Sequence, residues 1–355
     1  MSIIYFILIM GLTVSLHELG HLLTAKMFGV YCYEYSVGMG PKLWSHQGKE
    51  TEYSLRAFPL GGYVRMAGEE SLEEGDEIPK ERQLSGIKPA KRIVVMLAGI
   101  ITNILLALIL FSALFLAVGG YPEYPDTTVK SVTAGMPAEA AGLQAGDKII
   151  KITYENGVVI NPVTFDEIGN YTQLYHSKAT YVVQRGETTF ETEITPKYNA
   201  QDGRYYLGVT MGEIVRKEVK WYNAPYYGLK YSLSMMKDIY TSLVNLVAGR
   251  GLENLSGPIG IYQVTDVVMS QSKSPGEILM NFVNIWALIS LNVGVFNLIP
   301  IPAFDGGRVV LTLAEMILGH PVDKRLENIL MYGSLFLILL LFGFVMYNDI
   351  SKLIR

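Results

Sequence analysis

His17-Glu18-Leu19-Gly20-His21 lies inside an apolar stretch from about Ile3 to Val30, long enough to enter a membrane as a helix. Helical positions i and i+4 share one face about 6 Å apart along the axis, so the two imidazoles can grip one metal ion. Glu18, between them, is placed to activate a water. An apolar segment gains nothing for insertion from two imidazoles and a carboxylate, so such groups are functional by default.

The remaining composition agrees with a membrane setting. The 355 residues are 50% hydrophobic and only 17% charged, which suits a multi-pass α-helical membrane protein with a water-soluble portion. The net charge of -4 points to no nucleic-acid partner. The single cysteine, Cys32, excludes an intrachain disulfide and any thiolate-only zinc site, and reads as a small apolar filler.

Four spans are expected. The first has no Lys or Arg before Lys26, so it lacks the basic start of a cleavable signal peptide and is expected to stay attached. The others run from about Ile93 to Val118, with Asn103 as the most polar residue, from about Ile278 to Pro300, and from about Ile329 to Tyr347. The third carries Asn281, Asn284, Asn292 and Asn297, as expected of a helix facing protein or substrate. Lys42, Lys49, Arg56, Arg65, Lys80, Arg82, Lys88, Lys91 and Arg92 place the loop between spans one and two in the cytoplasm, and Arg308, Lys324 and Arg325 agree for the loop between spans three and four. The segment from Gly119 to Pro275 and both termini then lie outside. A chain entering near Ile3 reaches His17 about 21 Å in, within a hydrocarbon layer of roughly 30 Å.

A tetrahedral zinc with an open position needs a third protein ligand, commonly a carboxylate. His46, His176 and His320 fall in expected loops. Asp305 is the better candidate: it stands in Asn297-Leu-Ile-Pro-Ile-Pro-Ala-Phe-Asp-Gly-Gly307, where two prolines interrupt helical bonding and two glycines allow backbone close to a ligand. Span three runs inward, which brings Asp305 to the depth of the histidines.

HELGH in the first span together with NLIPIPAFDGG in a late one resembles the site-2 protease family of intramembrane zinc metalloproteases, close to its RseP-like bacterial group. Ser36-Val-Gly-Met-Gly-Pro41, Phe58-Pro-Leu-Gly-Gly-Tyr63 and Ser256-Gly-Pro-Ile-Gly-Ile261 look like family landmarks. The resemblance implies one Zn2+ held by His17, His21 and Asp305, with Glu18 as general base. It also implies substrate contacts from Asn297, less surely Asn292, and from a membrane-dipping hairpin around Gly38, Gly40, Gly61 and Gly62 that offers an edge to an unwound substrate. Phe304 departs from the leucine the family often has there. Implied substrates are single-span membrane proteins already shortened outside, such as anti-sigma factors, and remnant signal peptides; the implied location is the bacterial cytoplasmic membrane. A membrane scaffold or a metal transporter is the competing class, and Glu18 discriminates, because neither needs a base beside its ligands.

The external segment alternates strand-like runs (128–132, 148–152, 180–184, 191–194) with a helix near Val163 to Leu174. Its Met136–Asp147 passage resembles the PDZ domains of bacterial proteases, which take extended peptides by strand addition; capture of peptide and steric filtering stay open. Residues from about Lys220 to Val247 read as an amphipathic helix on the outer membrane surface or packed against that module, and Glu69 to Glu81 as a solvated acidic loop. The expected organisation is 1–30 first span, 31–92 cytoplasmic-side loop with hairpins, 93–118 second span, 119–212 α+β PDZ domain, 213–277 surface helix and linker, 278–307 third span, 308–328 cytoplasmic loop and 329–355 fourth span.

Overall fold

A computed structural model of the chain describes residues 2–69, 78–200, 203–249 and 257–354. They form two compact units: Met1–Ala117 with Trp221–Tyr240 and Ser256–Arg355, and Val118–Lys220 with Thr241–Leu255. The first unit opens with helix α1 (Ser2–Met27), strands β1 (Cys32–Gln47) and β2 (Glu52–Met66), and helix α2 (Pro89–Val118). The side chains of α1 sort opposite to those of a water-soluble helix. Thr13, Ser15, His17 and His21 are buried, whereas Ile3, Ile4, Leu8 and Leu23 are exposed. That is the distribution expected where lipid, not water, is outside.

The glycine-rich segment expected to carry hairpins makes one antiparallel pair of long strands, each bent in its middle. Residues 42–47 lie beside 52–56, 52–55 also beside 34–37, and 34–37 beside 62–66, so two strands give four antiparallel runs. Gly38, Gly40 and Gly61 carry φ of +86°, +83° and +101° at the bends, which residues with a Cβ adopt only with strain. Glu34 pins the centre of this sheet. It is buried and accepts from Ser54 Oγ (2.6 Å), Arg56 Nη2 (2.8 Å) and the Tyr63 hydroxyl (2.8 Å). Burial alone would raise its pKa, but these donors outweigh it and hold the carboxyl at about 2. Tyr35 ties the sheet to α1 by donating to the Ser15 carbonyl at 2.8 Å.

The second unit carries β3 (Gly120–Glu123), β4 (Ser131–Val132), α3 (Pro137–Ala140), β5 (Lys148–Tyr154), β6 (Val159–Ile160), α4 (Phe165–Tyr175), β7 (Ala179–Arg185), β8 (Thr188–Ile194), β9 (Lys197–Asn199), β10 (Arg204–Tyr206), β11 (Val209–Thr210) and β12 (Val215–Glu218). Four strands form one antiparallel sheet in the order β6-β5-β7-β8. Its alternation buries Ile149, Ile152, Tyr154, Tyr181 and Val183 together with Ile168 and Phe165 of α4. Three expected strand runs and the expected helix are realised as β5, β7, β8 and α4. The run 128–132 is only the short β4 plus one bridge from Thr128 to Lys148. β12 pairs with β3, Glu218 opposite Gly120, so this unit extends past residue 212. Asp147, fully buried, accepts from Arg185 Nε (2.7 Å) and Nη2 (2.8 Å), and the pairing keeps its pKa below the usual carboxylate range.

Helix α5 (Ala224–Val247) is followed by α6 (Pro258–Ser270), α7 (Pro275–Asn297), α8 (Asp305–Leu318) and α9 (Lys324–Ile354). α7 starts on a cap in which Ser274 Oγ accepts from Glu277 N at 3.2 Å and Glu277 accepts from Lys273 N at 2.7 Å. Among the described residues four helices, α1, α2, α7 and α9, are long and apolar enough to cross a membrane. The stretch 308–328, expected as a loop, is largely the helix α8. On α9, Leu335, Phe336, Leu337, Leu339 and Leu340 are exposed, while Asp349 is buried and accepts from Gly257 N and Gly260 N, both at 3.0 Å. A carboxylate on the free N–H groups of a helix start is favourable, and it gives the Gly257–Ile261 motif a physical reason. Most of the acidic run 69–81 lies outside the described residues.

Candidate metal centre

His17 and His21 sit one turn apart on α1, and their Nε2 atoms are 3.2 Å from each other. Asp305 Oδ2 lies 3.1 Å from the first and 3.3 Å from the second. Asp305 is the first residue of α8, and the segment before it explains its placement. Helix α7 stops at Asn297 because Pro300 and Pro302 cannot continue its hydrogen-bond ladder. The returning chain is so tight that a Cβ on Gly306 would stand 2.7 Å from the Ile299 oxygen and one on Gly307 would overlap Ile301. Only glycine lets the first turn of α8 rest on that backbone and hold Asp305 against α1.

The ring nitrogens away from the cluster also have partners. His21 Nδ1 lies 2.8 Å from the Val95 carbonyl oxygen, which can only accept, so the proton is on Nδ1 and the Nε2 lone pair is free. His17 Nδ1 lies 3.2 Å from the side-chain amide of Asn103 on α2. Between these two contacts, α2 presents Gly99. A Cβ there would come within 2.7 Å of His17 Nε2 and closer still to His21 Nε2. Glu18 is half-buried, and its Oε2 accepts from Val64 N on β2 at 3.1 Å, so the strand 62–66 aims the carboxylate. Its neighbour Gly62 stands where a Cβ would be 2.7 Å from the Ser36 oxygen and 3.8 Å from Glu18 Cγ.

Three electron-pair donors thus converge in a buried place, and Asp305 Oδ2 has no hydrogen-bond donor of its own. Converging lone pairs repel unless a cation or proton lies among them. Donors of a tetrahedral zinc at roughly 2.0–2.1 Å stand about 3.3 Å apart, which matches the spacings of 3.1, 3.2 and 3.3 Å in this cluster. The residues therefore fit zinc, with two imidazoles and one carboxylate leaving one position open. A cleft of about 830 Å³ opens beside them, lined among others by Glu18, Tyr63, Val64, Asn297, Phe304 and Arg308.

The sequence profile of peptidase family M50 matches residues 5–341. A candidate zinc metalloprotease of Clostridium acetobutylicum is 34% identical over 91% of the chain and 89% of its own length. The chain belongs to peptidase family M50, the site-2 protease family. Another candidate zinc metalloprotease, from Staphylococcus aureus, is 29% identical over 99% of this chain and 98% of its own. The regulator of sigma-W protease RasP of Bacillus subtilis is 29% identical over 99% of both chains. As an M50 peptidase with four apolar helices, the protein is an intramembrane zinc endopeptidase.

Of the substrate contacts expected in this M50 peptidase, Asn297 ends α7 and lines the cleft. Asn292 does not line it: its Nδ2 donates to the Leu288 carbonyl of its own helix at 2.9 Å. Gly38, Gly40 and Gly61 shape the bends of the sheet, and Gly62 lies beside Glu18. His46 is on β1, stacked on Trp44, not in a loop, and neither it, His176 nor His320 joins the centre. Sequence reading misses four participants: Val95, Gly99, Asn103 and Val64. Asn103, the most polar residue of its span, is the one that carries a signal.

Proposed function

We propose that this M50 peptidase cleaves peptide bonds within membrane-spanning segments of single-span proteins, using one zinc held by His17, His21 and Asp305 and the carboxylate of Glu18 as general base. The observation that carries the reading is the convergence of three donors from α1 and α8 within 3.3 Å of one another, with Glu18 one residue from the first. Zinc, when bound, supplies a Lewis acid that polarises the scissile carbonyl and makes an attacking water easier to deprotonate. Glu18 takes that proton and later returns it to the leaving amine. The Val64 N–H keeps the carboxylate on the cleft side of α1.

A helical substrate hides its peptide groups in its own hydrogen bonds and has to unwind before hydrolysis. Strand 62–66, the edge of its sheet and part of the cleft wall, can receive the opened segment by strand addition. Asn297, at the end of α7, can hold its backbone; Asn292 is the lesser candidate because its amide is engaged. The lysines and arginines near the spans support a cytoplasmic position for the β1–β2 sheet, and an extracytoplasmic one for residues 119–212 as a PDZ domain that binds peptide or filters by size. The location is then the bacterial cytoplasmic membrane.

The test is Glu18→Gln in purified or reconstituted protein given a single-span substrate. Cleavage should fall at least about 100-fold, the scale of general-base catalysis, while zinc content persists; His17→Ala should lose both. Undiminished cleavage by Glu18→Gln removes Glu18 from the mechanism.

A further inference from the structure

We infer that Asn103 is a positioning residue for His17, holding the imidazole by accepting its Nδ1–H so that Nε2 faces the metal with its lone pair free. The inference rests on the assignment of His17 as a ligand.

Asn103 is fully buried in α2, in a span whose other residues are apolar or small. Burying an amide without partners costs free energy, and leucine would fill the place and suit the membrane better. The described contacts of its side chain centre on His17 Nδ1, 3.2 Å from Nδ2. In that orientation Oδ1 is buried without a donor. Turning the amide about its last bond exchanges two atoms of nearly equal size. Oδ1 then faces His17 and accepts its Nδ1–H, while Nδ2 takes the place that Oδ1 held. Had Nδ2 donated to Nδ1 instead, the imidazole proton would sit on Nε2 and block ligation.

The pattern along α2 supports this assignment. Val95, Gly99 and Asn103 follow at intervals of four and so lie on one face. The carbonyl of Val95 receives the outer N–H of His21 at 2.8 Å. Gly99 leaves room for both rings. Asn103 then stands to His17 as the Val95 carbonyl stands to His21. The neighbouring helix steadies it: Ser290 Oγ on α7 donates to the Asn103 carbonyl at 2.9 Å, and Gly294 admits the Asn103 Cβ at 3.4 Å from where its own would be.

The test uses the full chain in detergent, with zinc affinity from chelator competition and the visible absorption bands of the cobalt-substituted protein. Asn103→Leu should weaken zinc binding about 10–100-fold, the usual effect of removing an outer partner of a ligating histidine, and shift the cobalt bands while helix content stays constant. Asn103→Asp keeps the acceptor and should bind zinc within about fivefold of the parent or tighter. Parent-like zinc affinity and cobalt bands in Asn103→Leu overturn the inference. So does Asn103→Asp weakened beyond that margin, and that arm decides alone if the leucine variant does not fold. A merely packing role would lower thermal stability but leave the cobalt bands in place. His17→Ala is the control: if it binds zinc like the parent, the ligand assignment falls and this inference with it, whereas loss there with no effect at Asn103 overturns the inference alone.

Discussion

The two units solve opposite solvent problems with the same twenty side chains. In Val118–Lys220 the interior is Ile149, Ile152, Tyr181 and Ile194, and charged residues such as Lys178 and Glu193 pair on the surface. In the first unit Thr13, Ser15, His17, His21 and Asn103 are inside, and leucines and phenylalanines of α9 are outside. The difference lets the first unit enclose the cluster of His17, His21 and Asp305. Lipid imposes no demand that polar groups face outward, so a helix can turn its imidazoles inward at no loss of surface solvation.

That contrast can be broken at several points. The largest effect on stability should come from Ile152→Ala in β5, about 4 kcal/mol because the side chain is fully buried in the core of its sheet; hydrogen exchange across β5 and β7 would register it. On α9 the dependence reverses: Leu337→Arg should cost about 3 kcal/mol of membrane insertion, measured by glycosylation-mapped insertion, while arginine at the exposed Thr189 of β8 should be within about 0.5 kcal/mol of neutral in thermal melts.

Acid provides a subtler probe. The Glu34 carboxyl is depressed to about 2 in the folded sheet, below its unfolded range near about 4.3. Its contribution is therefore complete above roughly pH 5 and is lost as pH falls toward about 2. Glu34→Gln should flatten stability across that window; an unchanged slope would mean the donors of Ser54, Arg56 and Tyr63 are not supporting a charge. A small effect is also expected for Glu123→Gln, whose partner Lys217 is 3.3 Å away on the surface. Less than about 1 kcal/mol is expected, shrinking further with salt.

Much of the architecture is readable in the sequence because it depends on local pattern: apolar length for the spans, alternation for β5, β7 and β8, and a pair of prolines for the end of α7. The paired histidines are readable for the same reason, since two imidazoles one turn apart burden an apolar helix unless they bind something in common. What escapes are the partners that depend on how helices cross. Asn103 is 86 positions from His17, and nothing in its own neighbourhood reveals which ring it meets. Asn292 and Asn297 look alike as amides on one span, yet one bonds back to its own helix and the other ends it. The bent strands escape because each glycine pair suits a tight turn as well as a fold in a longer strand. α8 reads as a loop because its first turn starts at Asp305 itself, immediately after the prolines.

The lone thiol offers a practical opening. Cys32, the first residue of β1, is fully buried, and burial pushes its pKa up to about 11, so the reactive thiolate is scarce at neutral pH. Maleimide reagents should therefore pass over the unaltered enzyme. A single cysteine introduced at Lys217 or at Tyr332 would accept a label without any native cysteine being removed, and which compartment the impermeant dye must be added from would read out the sidedness of each segment in intact cells.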